Sequence, residues 1–237
     1  LSSNSFVVHP GNKHGVHLLR VLLAERHLDA RRRALASYES DPFIRSFRRD
    51  GIVVVPMTWK KEGGLFLTAE QKNFTFRLFQ YALGSQSKIN DRFQLAALQV
   101  KNPSTDIRQQ MHIDTFYSTT DVYVFTQKVT MSDGPLYYVN QSQRHSTEKL
   151  RLLQELVDRD EYAVCDSPRI YPPEQQKYDI RAVPLDVPGG SIVVVDTNGY
   201  HFWGRGPRVH YTATWEKNGR VMAPGGLPRM HPFEASI

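Results

Sequence analysis

Apolar positions change their period along the chain, and the change divides it into two kinds of element. Val16, Leu19, Leu22 and Leu23 recur every three to four residues and predict a helix over 16–38. Residues 41–56 read as a turn, a Phe-bearing helical stub and a β-branched strand, Ile52-Val53-Val54-Val55, closed by Pro56. Thr68 and Gln71 suit the start of a second helix, whose buried side is Phe74, Leu78, Tyr81 and Ala82 and which ends at Gly84. From Phe93 onward short β-rich runs take over, at 94–100, 122–130, 136–139, 180–187, 191–195 and 208–215, separated by Gly, Pro, Asn and Asp. One helix, 147–159, interrupts them, and a polar, proline-bearing loop follows at 165–177, of a length that suits a lid or binding loop. The pattern predicts a mainly β sandwich or barrel with flanking helices. The first 40 residues form an extension and helix packed on the core, and 41–237 form one compact domain.

Bulk properties narrow the function classes. A chain of 237 residues, 40% hydrophobic and 23% charged, can bury a full core and is not a disordered tail. Thirty Lys and Arg against 24 Asp and Glu give a net charge of +6, which favours an anionic small molecule. The densest basic runs, Arg31-Arg32-Arg33 and Arg48-Arg49, are too short to predict a nucleic-acid surface. Cys165 is the single cysteine, so no intrachain disulfide can form and a reducing, cytoplasmic setting is the default. The longest apolar stretch, 16–24, is broken by Arg20, so no membrane span is expected. The chain opens on Leu1 rather than Met, which leaves room for a removed targeting segment.

The chemistry begins at Gln110-Met111-His112-Ile113-Asp114. In extended chain, residues i and i+2 project from one face, so His112 and Asp114 can hold one metal ion together. A third ligand is expected at His201, reached through the strand over 192–195 and the turn Asp196-Thr197-Asn198-Gly199-Tyr200. Two imidazoles and one carboxylate leave coordination positions open, which suits Fe(II) that must also hold a cosubstrate and O2; the same set leaves a catalytic zinc open. Nine histidines make a chance His-x-Asp triplet common, so weight falls on the order of the parts: the triplet, the later histidine, then Arg208 at the head of a strand. A guanidinium is the natural bidentate partner for a distal carboxylate. Arg205 competes for that role from the neighbouring glycine-rich turn. Phe116, Tyr117 and Trp203 are candidates for the substrate pocket, with barrel core as the alternative for each. A non-catalytic, cupin-like metal-binding or scaffold module is the competing class, and a metal-dependent isomerase or hydrolase a third.

Taken together, these residues resemble the phytanoyl-CoA hydroxylase (PhyH)-like superfamily of Fe(II)/2-oxoglutarate-dependent dioxygenases over roughly residues 42–216. Phe47-Arg48-Arg49-Asp50-Gly51-Ile52-Val53-Val54-Val55-Pro56 is similar to that family's opening strand, followed by His112-Ile113-Asp114. Asp133-Gly134-Pro135-Leu136-Tyr137-Tyr138-Val139 and the stretch from Gly190-Ser191 to His201 match further pieces. The resemblance implies a double-stranded β-helix, or jelly roll, that binds iron through His112, Asp114 and His201 and grips 2-oxoglutarate with Arg208, with Gln99 and Thr126 near the cosubstrate. It implies hydroxylation or a related C–H oxidation that yields succinate and CO2. Asn140-Gln141-Ser142-Gln143 departs from the family's Pro-Gly-Ser-His turn, and the His201 to Arg208 spacing is short. Retained Asp114 argues against halogenation, since halogenating relatives carry a small residue there. Substrate identity and oligomeric state are not encoded in any pattern found.

Overall fold

The computed structural model describes residues 41–56, 93–100, 109–114, 120–125, 127–159, 168–206, 208–217 and 220–221, with positions 19, 21–23, 26, 33 and 77. Helix α1 (Pro42–Asp50) begins where the Asp41 carboxylate accepts from the N–H groups of Phe43 and Ile44 at 2.9 and 3.2 Å, with proline in the first turn. Such a cap contributes about 1 kcal/mol. The helix stops at Gly51, whose φ of 79° favours glycine and whose N–H returns to the Phe47 carbonyl. The chain passes directly into β1 (Ile52–Pro56).

Two antiparallel sheets follow. The larger takes β1, β2 (Phe93–Val100), β3 (Thr120–Phe125), β6 (Ser191–Asp196) and β8 (Arg208–Lys217) in the order β1-β6-β3-β8-β2, with β9 (Arg220–Val221) paired to β8. Strand β6 is buried at all six positions because β1 and β3 flank it and both faces are covered. The smaller sheet runs β5 (Val183–Pro184), β4 (Leu136–Tyr138), β7 (His201–Trp203). Backbone bridges continue it from His201 to His112 and from His112 to Arg169.

Side-chain alternation sorts the interior into two clusters. Ile52, Tyr123, Phe125, Val193 and Val195 of the larger sheet pack with Leu136, Tyr138 and Trp203 of the smaller. On the opposite face of the smaller sheet, Met111, Ile113, Ile170 and Tyr200 meet helix α2 (Thr147–Asp158) through Leu152, Leu153, Leu156 and Val157. Each of these four helical side chains is at most 1% exposed and contributes roughly 1.5–3 kcal/mol by leaving water. Val21 is buried in the same cluster.

The β-rich runs at 94–100, 136–139, 191–195 and 208–215 and the helix at 147–159 coincide with elements, to within a residue or two at the ends. The run at 122–130 is a strand only to Phe125, and that at 180–187 contracts to Val183–Pro184. The stretch 165–177 requires correction as an irregular loop. Residues 168–170 align beside His112, and helix α3 (Pro172–Lys177) follows. The prolines that signal a loop here occupy the first helical turn, where a missing N–H costs nothing, and Glu174 caps the Tyr171 N–H at 3.1 Å. The expected helices at 16–38 and 68–84 lie outside the described residues apart from single positions. No helix among the described residues is long and apolar enough to cross a membrane.

Candidate metal centre

Alternation along two short extended segments creates the centre. Met111 and Ile113 face helix α2, so His112 between them faces the space between the sheets. Tyr200 and Phe202 face the helix as well, so His201 and Trp203 share the inner face. His112 and His201 exchange both backbone hydrogen bonds, each at 3.0 Å, and their ring centroids are 4.4 Å apart. Asp114 is fixed by its N–H to the Thr197 carbonyl at 3.0 Å. Its Oδ1 lies 3.4 Å from Nε2 of His112 and 3.7 Å from Nε2 of His201.

The two imidazoles are oriented by the same local device. Nδ1 of His112 is 2.7 Å from the Gln110 carbonyl, and Nδ1 of His201 is 2.8 Å from the Gly199 carbonyl, in each case two residues back. A carbonyl can only accept, so Nδ1 donates in both rings and both Nε2 lone pairs face Asp114. One ion bonded to three donors at roughly 2.0–2.2 Å places them about 3 to 3.5 Å apart. The three ligating atoms here all fall within 4.8 Å of one another, the one such cluster among the described residues. Burial above all, against the opposing pull of the Asp114 carboxylate, pushes His201 down to about 4, so it is neutral and able to ligate near pH 7. The His112 and His201 side chains are 5% and 4% exposed and that of Asp114 is 27% exposed, so the centre opens on the carboxylate side.

The turn that delivers His201 is held from α2. Lys149, only 3% exposed, donates from Nζ to the carbonyls of Ser142 and Asn198, both at 2.6 Å, and to Oδ1 of Asn198 at 3.3 Å. Ser142 Oγ accepts from the Tyr200 N–H at 2.8 Å, and Val139 N–H donates to the Tyr200 carbonyl at 3.0 Å. A Cβ at Gly199 would overlap the Tyr138 ring, so the turn needs glycine for close approach.

Of the residues singled out in the sequence, His112, Asp114 and His201 come together. Gln99 lies on β2 opposite Val209, and Arg208 opens β8 opposite Val100. Arg205 is exposed in the turn between β7 and β8. Trp203 is buried in the inter-sheet core, edge-on to Tyr123 at 5.4 Å. Phe116, Tyr117 and Thr126 lie outside the described residues. Two residues drew no notice in the sequence: Arg169, which pairs with His112, and Lys149, which holds the turn before His201. Lys149 is the third residue of its helix, where a charge reads as solvated despite the helical spacing to Leu152, Leu153 and Leu156, and nothing near Arg169 announces that its segment pairs with His112.

No family model and no curated protein matches the chain. Among solved structures it is similar to the epimerase SnoN in complex with Fe3+, alpha ketoglutarate and nogalamycin RO, at 17% identity over 82% of this chain and 97% of that one, with a TM-score of 0.40. It is similar to EctD from S. alaskensis with 2-oxoglutarate and 5-hydroxyectoine, at 13% identity over 78% and 79%, with a TM-score of 0.41. It spans 48% of the length of EvdMO1, at 12% identity over 72% of its own length, with a TM-score of 0.38.

Proposed function

We propose that this chain is an Fe(II)- and 2-oxoglutarate-dependent oxygenase that oxidises a C–H bond of a small organic substrate. The observation that carries the reading is the convergence of two imidazole Nε2 atoms and one carboxylate on the inner face of a sheet, open on one side. The fold is read as a double-stranded β-helix. Its support is that β3, β4, β6, β7 and β8 alternate between the two sheets, apart from the short β5 that stays beside β4.

His112, Asp114 and His201 would hold the iron. When bound, iron with 2-oxoglutarate supplies oxidation by O2, with the balance R–H + 2-oxoglutarate + O2 → R–OH + succinate + CO2. The chain's own part is to position and to exclude. The Gln110 and Gly199 carbonyls fix the ring tautomers, and the packing of Trp203, Tyr138 and Tyr123 beneath the histidines keeps bulk water from that side. Arg208 is assigned to the far carboxylate of 2-oxoglutarate, with Arg205 as the competing anchor and Gln99 and Thr126 beside the cosubstrate. Phe116 and Tyr117 are assigned to the substrate side, while Trp203 takes the alternative role of barrel core.

Anaerobic titration tests the reading. Fe(II) and 2-oxoglutarate together should give a weak visible charge-transfer band that neither gives alone. Asp114→Ala should lose the band and lower succinate formation more than about a hundredfold. Turnover retained in Asp114→Ala, or no band in the wild type, would sink the assignment.

A further inference from the structure

We infer that a cleft on the outer face of the smaller sheet, behind His201, is a second binding site, and that it takes a small aromatic carboxylic acid. This site lies outside the metal centre and stands whether or not iron is bound there.

The turn after β4, the start of α2 and the chain leaving α3 enclose a cleft of about 190 Å³. Val139, Tyr178, Ile180 and the ring of Tyr200 supply its apolar walls. An engineered apolar cavity of about 150 Å³ holds benzene, so this volume admits a single six-membered ring with a short substituent. Tyr200 precedes β7 and alternates with His201, so it faces away from the metal centre into the layer between sheet and α2. The residue is 5% exposed, and its backbone is satisfied: the N–H donates to Ser142 Oγ at 2.8 Å and the carbonyl accepts from the Val139 N–H at 3.0 Å. The phenol oxygen differs. Among the described residues no group donates to it or accepts from it, and it is not one of the polar atoms sealed from solvent, so it opens on the cleft that its ring lines. The other phenol of the cleft is already engaged, since the Tyr178 hydroxyl donates to Oε1 of Glu155 at 2.7 Å. Buried polar groups are as a rule hydrogen-bonded, so a phenol kept open in a cleft wall marks a contact that a ligand completes.

Charge at the rim selects the ligand. The Glu148 carboxylate is turned back on the start of α2, where its own N–H and the Ser146 hydroxyl hold it below the usual carboxylate range. Asp179 accepts from Nε of Arg181 at 2.7 Å. Arg144 is exposed at the rim, and its guanidinium has no hydrogen bond or ion pair among the described residues. Its field reaches the Asp50 carboxylate, but both oxygens there are taken by Arg49 at 2.9 and 2.7 Å. The rim acids are thus engaged, and one planar guanidinium is left to a ligand, which suits a carboxylate. An exposed arginine by itself is ordinary. Joined to an open, buried phenol in the same apolar cleft, it defines a ligand of three parts: a carboxylate for Arg144, one ring for the apolar walls, and a polar ring substituent for Tyr200.

Calorimetric titration with benzoate, the hydroxybenzoate isomers and the neutral amide of each tests the site, with acetate reporting the head group alone. Wild type, Arg144→Gln, Tyr200→Phe and Arg208→Ala are compared, first metal-free and then with Mn(II) and 2-oxoglutarate. Wild type should bind benzoate more tightly than about 1 mM, and benzamide and acetate at least about tenfold more weakly. At least one hydroxybenzoate isomer should bind better than benzoate. Arg144→Gln should weaken every acid about tenfold or more and erase the preference over amides. Tyr200→Phe should leave benzoate within about twofold and remove the gain from the ring hydroxyl, a change of about fivefold. Arg208→Ala, and loading with Mn(II) and 2-oxoglutarate, should leave all affinities within about twofold. No acid binding in wild type, equal affinity for acid and amide, no loss in Arg144→Gln, or a hydroxyl gain that survives in Tyr200→Phe would overturn the inference. Binding that is lost in Arg208→Ala, or that appears only with Mn(II), would place the acid in the metal centre and overturn it too. Tyr200→Phe removes only an unbonded oxygen, so its melting temperature without probe should hold; should it not fold, the loss of acid binding in Arg144→Gln decides, since that side chain is exposed.

Discussion

At the scale of single residues, His201 carries the most legible physical signature. Burial holds its imidazole neutral, pushed down to about 4 from an ordinary 6.5. A histidine depressed on folding stabilises the native state fully above its unfolded value, and that contribution disappears as pH falls towards the folded one. In metal-free protein the stability should therefore decline between about pH 6.5 and 4, by on the order of 3 kcal/mol from this residue. Urea unfolding of wild type and His201→Gln at pH 7 and pH 4.5 checks the sign. The wild type should lose more on acidification than the variant, and equal losses would contradict it. That His112, Asp114 and His201 come together could be read from the sequence because a strand's two-residue repeat and the strand-turn-His order are local. It gives no hint of Arg169, since a partner brought in by long-range pairing leaves no periodicity.

Elements explain how those residues keep their places. Lys149 ties α2 to the Asn198 turn by donating to the uncharged carbonyls of Ser142 and Asn198. Lys149→Met should destabilise the protein by roughly 1–3 kcal/mol for each carbonyl left without a donor. It should weaken metal binding further than a comparable destabilisation placed elsewhere in α2, such as Leu152→Ala, and metal titration of the two at matched stability is the check. On a helical wheel Lys149 falls in line with Leu152, Leu153, Leu156 and Val157, but its charge masks that signal; its burial is completed by the 139–143 turn at the helix start, whose Ser142 carbonyl it serves, and no propensity encodes that turn. The prolines of α3 mislead for a different reason, because the same residue that breaks a helix inside it opens one at its first turn. Strand β8 sets another test. Arg208→Ala should raise the 2-oxoglutarate requirement at least tenfold while the iron requirement moves little, and the same outcome in Arg205→Ala instead would transfer the anchor to the exposed turn.

For the whole molecule, the candidate metal centre is a junction between segments. His112, Asp114 and His201 come from two segments that meet across the smaller sheet, so an ion bound to all three cross-links them. Metal at about a hundredfold excess over its dissociation constant should add ~2.7 kcal/mol to stability, and chelation should lower the melting temperature accordingly. An unchanged melting curve after chelation would count against a three-ligand site. Strand β6 has a consequence of another kind. Ser-Ile-Val-Val-Val-Asp is a buried, β-prone segment with a single charge, and its partners Ile52–Pro56 and Thr120–Phe125 are distant in the chain. During synthesis β1 and β3 emerge long before the strand that will lie between them. Loop closure must bridge those distances before any contact rewards it, so folding is expected to be slow and the waiting edges prone to self-association. The His112, Asp114 and His201 cluster thus takes shape late, when the chain from β6 to His201 arrives to complete it.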